Sequence, residues 1–327
     1  MPERPSRGAT ALLALLGCLL VALLAGSCGL GGDAGDEGEA TVRVGVIAIA
    51  DVAPLYLGRE KGFFADEDLS VEPVLAEGGA AITPAVLSGD LQFGFSNTIS
   101  LLIAASQGQA VQIVASGVLG GTDEATAWAE LTVRGDGAIA SARDLEGATI
   151  AVNTLNNICE VTIKASLEKA GVDVATLQFT EVPIPEMNAA LRSGQVDAAC
   201  LVEPFVTQAE ATGARGLLPF YVRTAPDLTV ATYFTSRRLA REEPDLVNRF
   251  TRAMNTSLDY AQAHPGEVRR ILRSYTRIPR QAVRRIKLPT WRSDINRPTI
   301  ELLARLSLKY GLIERRPDLD ALIRRGA

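Results

Sequence analysis

Residues 87–108, LSGDLQFGFSNTISLLIAASQG, carry the reading on which the fold turns. Ser88 and Gly89 close a helix, Leu91 to Phe95 form a short apolar run, and Ser96, Asn97 and Thr98 are each suited to cap the apolar helix that follows. A strand that ends where a helix begins leaves free backbone N–H groups at one edge of a sheet, and in open α/β sheets ligands bind at that edge. The same grammar returns 105 residues later, where Ser193–Gly213 (SGQVDAACLVEPFVTQAEATG) matches Ser88–Gly108 in length without a gap. The chain therefore reads as two similar halves, each presenting a strand-to-helix edge.

Working outward, TVRVGVIAIA (41–50) is a strand buried on both faces, followed by a helix from Pro54 to near Gly62, a strand Leu69–Leu75 and a helix that ends at Ser88. Pro84 delays the first regular turn of that last helix until after Thr83. Val111–Val114 adds a short strand. The second copy starts with the strand ATIAVN at Ala148, then a helix over Cys159–Lys169, a strand Leu177–Val182 and a helix Pro185–Leu191. Alternating strands and helices predict an α/β fold of two lobes, each a mostly parallel sheet flanked by helices. WAELTVR (128–134) and LTVATYFTS (228–236) alternate and are β-prone. They are expected to form the two crossings of a two-stranded hinge, with lobe I at 41–130 plus 235–327 and lobe II at 131–234. From about Leu239 the chain reads as helices broken by prolines.

Composition agrees. A chain of 327 residues accommodates two domains with cores of their own, and 47% hydrophobic with only 5% aromatic residues favours α/β over an aromatic-rich β protein. The net charge of −5 conceals a polarity: residues 237–327 hold 21 Lys and Arg against 10 Asp and Glu, and the remainder 12 against 28. The arginines are interleaved with apolar residues at helical spacing, so they read as solvated helix faces rather than a nucleic-acid or headgroup surface. His264 is the one histidine and sits in a turn-like HPGE, which reads as surface.

At the amino terminus, Arg4 and Arg7 precede an apolar run from Ala9 to Ala25, as in a secretory signal. The LLAGSC that ends it resembles the lipobox of a bacterial lipoprotein, which implies cleavage after residue 27 and lipidation of Cys28. Ala25 stands where leucine is commonest, and a plain signal peptide cut nearby is the alternative. Residues 28–40 then read as a flexible acidic tether.

PLYLGREKGFFADEDLSVEPVLAEGG, LSGDLQFGFSN and LRSGQVDAACLVEPF together resemble the substrate-binding proteins of the nitrate, sulfonate, taurine and thiamine-pyrimidine group, of the type II periplasmic binding fold. The resemblance implies an extracytoplasmic, monomeric, non-enzymatic receptor without a cofactor. Such a receptor closes about a hinge on a small solute and delivers it to the permease and ATPase subunits of an ABC importer. The pyrimidine-synthesising relatives of that fold look to need a lysine, a reactive histidine and a cysteine-rich motif, and this chain has no cysteine cluster. A receptor that signals rather than transports is the third reading.

The repeat also selects site residues. Its offset places Thr98 opposite Glu203, each just past the third strand of its lobe. Ser96, Asn97 and Thr98 offer hydroxyl, amide and helix N-terminal donors for an anionic group, or else ordinary caps. Glu203 is a cap or, facing solute, wants an ammonium, amidine or aminopyrimidine, and that argues against nitrate. Asn153, Thr154, Asn156 and Asn157 follow the first strand of lobe II, and Asp51 is the charged group in the equivalent loop of lobe I. Gly78 and Gly79 allow close approach of backbone to solute. Trp128 and Phe205 are candidates for an apolar wall. Cys159 and Cys200 are either a disulfide of an exported protein or two buried thiols, and not a metal site.

Overall fold

The computed structural model describes residues Glu39 to Gly326. The expected signal peptide, the lipidated Cys28 and most of the tether lie outside the described residues. The first lobe is laid down as β1 (Ala40–Val46), α1 (Ala53–Lys61), β2 (Leu69–Leu75), α2 (Gly79–Ser88), β3 (Phe93–Asn97), α3 (Thr98–Ser106) and β4 (Val111–Leu119). The second follows as β5 (Ala129–Arg134), β6 (Thr149–Val152), α4 (Ile158–Lys169), β7 (Gln178–Glu181), α5 (Ile184–Ser193), β8 (Ala198–Val202), α6 (Phe205–Glu210), β9 (Ala214–Leu218) and α7 (Phe220–Thr224). The chain then returns through β10 (Thr229–Ser236) and ends in α8 (Arg237–Glu242), α9 (Pro244–Ala263), α10 (Pro265–Tyr275), α11 (Arg280–Val283), α12 (Arg297–Lys309) and α13 (Leu319–Leu322).

Two five-stranded mixed sheets result, ordered β2-β1-β3-β10-β4 and β7-β6-β8-β5-β9. The strands β3 and β8 sit at the same place in the two orders, and their bounds differ by the 105 residues of the sequence repeat. In each sheet the first three strands run parallel and the fourth runs antiparallel to its neighbours. That fourth strand comes in each case from one of the stretches expected to cross between lobes. Every residue of β10 is buried, so its alternating Thr, Tyr and Phe line both faces of a sheet interior instead of a hinge. Tyr233 packs on Phe95 with ring centroids 5.2 Å apart, and Phe250 of α9 stacks on Phe93 at 3.8 Å. Truncating so buried a ring as Phe250 costs ~3–5 kcal/mol.

The crossings fall a few residues earlier in sequence than expected, at 120–128 and 225–228. They are still paired: Gly120 N–H donates to Leu228 O at 2.8 Å and Asp227 N–H to Gly121 O at 2.9 Å. A second difference concerns where the helix that contains Pro84 begins, which is before Thr83 rather than after it. The helix starts at Gly79, and the Thr83 hydroxyl donates to Gly79 O at 2.9 Å within the turn that precedes the proline.

The carboxy-terminal helices pack chiefly on lobe I and bridge to lobe II. The ring of Tyr275 in α10 stacks on Tyr56 of α1 with centroids 3.9 Å apart. Behind the molecule, the Tyr310 hydroxyl beyond α12 donates to the Glu168 carboxylate of α4 at 3.0 Å. Basic residues of the tail meet acidic residues of the front half, as in Arg252 with Glu67 at 2.6 Å and Arg270 with Glu60. Part of the charge polarity seen in the sequence is thus matched internally.

Candidate functional site

Parallel strands that end in helices bring the carboxyl edges of the two sheets face to face, and a small, partly open cavity lies between them. Lobe I contributes Ile47, Ile49, Asp51, Phe95 and Asn97, and lobe II contributes Asn153, Asn157, Ile158, Cys159, Cys200 and Val202. Tyr221, Val230 and Ala231 close it near the crossings. Water-sized spheres have about 40 Å³ for their centres there, room for about three waters at ~10–15 Å³ each.

Asp51 is the charged group of this cavity. It follows Ile49 at the start of the loop into α1, it is 4% exposed, and its Oδ1 has no hydrogen-bond partner. Burial pushes its carboxyl up to about 8, against the pull of its own backbone N–H. Its backbone carbonyl accepts from the Trp291 indole at 2.9 Å, which fixes the loop from the tail side.

Facing it are amides. Asn157 caps α4 with its Oδ1, accepting from Cys159 N–H at 3.0 Å, and its Nδ2 donates to Asn153 Oδ1 at 2.8 Å and Thr154 Oγ1 at 3.0 Å. Asn97 caps α3, accepting from Ser100 N–H at 3.0 Å. Both caps leave helix N-terminal positive potential directed at the cavity edge. Cys159 and Cys200 are joined in a disulfide, with Cα atoms 6.2 Å apart, and form part of the lobe II wall.

The glycines mark how close the lobes come. A Cβ on Gly78 would stand 2.9 Å from Asn153 Nδ2 and 3.2 Å from Thr154 Cγ2, across the interlobe boundary. The lobes are therefore shut on one another. A Cβ on Gly79 would collide with Ser96 at 2.0 Å from Oγ, so Gly79 serves packing within lobe I.

Of the residues chosen from sequence, Asp51, Asn97, Asn153, Asn157 and the bridged Cys159 and Cys200 line the cavity, while Gly78 and Thr154 meet at its rim. The others lie elsewhere. The Thr98 hydroxyl donates to Thr229 O at 2.7 Å and ties α3 to β10. Ser96 is buried against Gly79, and Asn156 is an exposed residue at φ 53° whose N–H donates to Glu160. Trp128 is buried at the crossing, its indole donating to Leu119 O at 3.0 Å. Tyr221, which packs on it at 5.4 Å, is with Phe95 an aromatic residue of the cavity and has no counterpart in the repeat that would have marked it.

Glu203 is fully buried but belongs to the frame. Its carboxylate accepts from Thr207 Oγ1 at 2.8 Å, Thr207 N–H at 3.2 Å and Lys287 N–H at 3.1 Å. Its carbonyl accepts from Ala50 N–H at 2.9 Å and its own N–H donates to Trp128 O at 3.0 Å. One residue thus joins β8, α6, the crossing, the β1–α1 loop and the tail. Burial pushes its carboxyl up to about 7, with the Thr207 hydroxyl and the two N–H donors holding it back.

Comparison with known proteins places the architecture. No curated protein matches the chain. Among solved structures, the ligand-binding component of an ABC-type import system from Staphylococcus aureus superposes with a TM-score of 0.76 at 14% identity, covering 87% of this chain and 96% of that one. The alkanesulfonate-binding protein SsuA from Xanthomonas axonopodis pv. citri gives 0.73 at 19%, covering 88% and 99%. The periplasmic nitrate-binding protein NrtA from Synechocystis PCC 6803 gives 0.73 at 16%, covering 87% and 86%. These likenesses establish the two-lobed periplasmic binding fold. The model of the family described as NMT1/THI5 like matches residues 49–268, and the chain belongs to that family.

Proposed function

We propose that the chain is the extracytoplasmic, lipid-anchored solute-binding component of an ABC importer, without catalysis. It takes a small polar organic solute into the interlobe cavity by hinge closure and presents it to permease and ATPase subunits. The observation that carries the ligand class is Asp51, a buried carboxyl with an unpartnered oxygen on the cavity wall. A buried polar oxygen of this kind is satisfied by a donor, and an ionised carboxylate prefers a cationic one. The solute accordingly carries an ammonium or amino group toward Asp51. Its acceptor end lies toward the capped N-termini of α3 and α4, as a taurine-like aminosulfonate would place it.

A bare oxyanion such as nitrate offers Asp51 no donor: it is repelled by the ionised carboxyl and accepted only by the protonated one, so its affinity would fall as pH rises through about 8. An amino-heterocycle such as a thiamine-pyrimidine precursor satisfies the same carboxyl, and the nearby Tyr221 ring favours it; the small volume favours the smaller solute. A thermal-shift screen across taurine, other alkanesulfonates, nitrate and aminopyrimidines tests the reading, because a ligand of the folded state raises the melting temperature. At least one amine-bearing member is expected to stabilise; no shift from any of them removes the support for the ligand class.

A further inference from the structure

Part of the tail's positive charge has no acidic partner among the described residues, and one run of it gathers in a single segment. Arg273, Arg277, Arg280, Arg284 and Arg285 form no ion pair among the described residues, in contrast to Arg252, Arg270 and Lys309, which face Glu67, Glu60 and Glu168. Two of these unmatched residues, Arg277 and Arg285, together with Arg192 of α5, line a groove in which water-sized spheres have about 670 Å³ for their centres. That is far larger than the interlobe cavity, and no carboxylate lines it.

Its floor is apolar. Ala189 of α5, Ala211 beside α6, and Pro279 and Ala282 of the tail supply it. The residues Pro185, Asn188, Ala189 and Arg192 recur at helical spacing and so expose one continuous face of α5 to the groove. On that face, Asn188 Nδ2 donates to Phe205 O at 3.2 Å while its Oδ1 is buried with no partner. The groove therefore combines cationic groups with an apolar floor.

Its walls belong to different lobes. The α5 and α6 wall is lobe II. The wall at 277–285 hangs between two attachments to lobe I, the Tyr56–Tyr275 stack and the Trp291–Asp51 hydrogen bond. In the closed form the far end of this strap meets lobe II, where Lys287 pairs with Glu130 at 2.8 Å and its N–H donates to Glu203. Separation of the lobes parts the two walls.

We propose that this groove docks an acidic, partly apolar peptide segment of a protein partner, and that only the closed form presents it whole. A small anion uses the arginines but leaves the apolar floor empty. A peptide fills both, with carboxylates for Arg192, Arg277 and Arg285 and apolar side chains for the floor. The dependence on closure rests on the receptor reading above; the peptide chemistry does not.

The test is fluorescence anisotropy of a labelled decapeptide of alternating Glu and Leu with the mature chain, at low and high salt. The wild type is expected to bind it with salt-sensitive affinity and to ignore the matching Gln–Leu peptide. Combined Arg192→Glu, Arg277→Glu and Arg285→Glu is expected to weaken binding roughly tenfold or more, with unchanged melting temperature. Gly78→Phe, remote from the groove but wedged between the lobes, is expected to weaken it too. Equal binding by wild type and triple variant, or equal binding of the neutral peptide, overturns the docking proposal. Cosedimentation with phosphatidylglycerol vesicles in the absence of peptide binding overturns it in favour of a lipid surface. Peptide binding untouched by Gly78→Phe overturns the closed-form clause. Solute titration of the same samples is read separately, so that failure to bind any solute counts against the receptor function alone.

Discussion

Gly78 of lobe I and Asn153 of lobe II stand so close that a Cβ on the glycine would lie 2.9 Å from the asparagine Nδ2. The glycine has extended backbone, φ −179°, that any residue adopts, so a substitution there adds bulk without backbone strain. Gly78→Phe is therefore expected to leave the solute-free melting temperature nearly unchanged while holding the lobes apart. Small-angle scattering should show a larger radius of gyration than wild type in the presence of solute, and titration a loss of affinity of roughly tenfold or more.

Asp51→Asn is expected to stabilise the solute-free protein. A carboxyl buried with an oxygen unpartnered costs the fold more in its ionised form than an amide of the same shape does. Denaturant unfolding at pH 8 should move to higher midpoint in the variant, with the slope unchanged. A lower midpoint would mean that Asp51 is a structural acceptor.

Glu203→Ala is expected to act in the opposite direction. It strips the acceptor from Thr207 N–H, the Thr207 hydroxyl and Lys287 N–H together, and loses ~2–4 kcal/mol of stability on the scale of buried groups left unpaired. The same denaturation measurement checks it. An effect confined to solute affinity, with stability intact, would return Glu203 to the binding site.

The pH profile follows from the two raised acids. Asp51 is held at about 8 and Glu203 at about 7, both above their ordinary values of 3.8 and 4.5, so the folded state keeps these protons longer than the unfolded chain does. Their contribution is full below the ordinary values and is lost as pH rises through the folded ones. Stability should fall between about pH 4 and 8 by up to ~1.4 kcal/mol per pH unit for each group. Exposed carboxylates held low by arginine or lysine, such as Glu67 beside Arg252 and Glu168 beside Lys309, act oppositely and only in more acid solution. Unfolding measured from pH 4 to 9 should show the decline in wild type and a shallower one in Asp51→Asn. If the solute donates an ammonium to Asp51, its binding expels that proton, so affinity should also drop as pH falls below about 8.

Much of the fold was legible because its signals are local. Gly62, Gly89 and Gly194 take left-handed backbone at the ends of α1, α2 and α5, where the sequence placed helix stops. The 105-residue repeat mapped β3 onto β8 without a shift. What the sequence could not carry is which sheet a β-prone stretch joins: Thr229–Ser236 looks alike as a crossing or a central strand, and only the partners Phe95 and Phe250 from distant segments decide it. The site shows the same limit. Thr98 and Glu203 occupy equivalent places in the repeat, yet their side chains are drawn to Thr229 O and Lys287 N–H, groups 131 and 84 residues away. Asp51 was marked only as the charge in its loop, and its burial beside a cavity emerges once Trp291 clamps that loop from the tail.

The central claim, that Asp51 receives the donor end of a small solute in the closed cleft, is tested most directly by isothermal titration of wild type and Asp51→Asn with matched solutes that differ only in an amino group. Taurine against ethanesulfonate, and an aminopyrimidine against its deaminated analogue, are suitable pairs. An amine-bearing member is predicted to bind wild type and to lose roughly 10- to 150-fold in the variant, the loss of a charge-assisted hydrogen bond worth ~1.5–3 kcal/mol. Its amine-free partner is predicted to bind neither protein well. Equal affinity for the two members of each pair, unaffected by Asp51→Asn, would contradict the account.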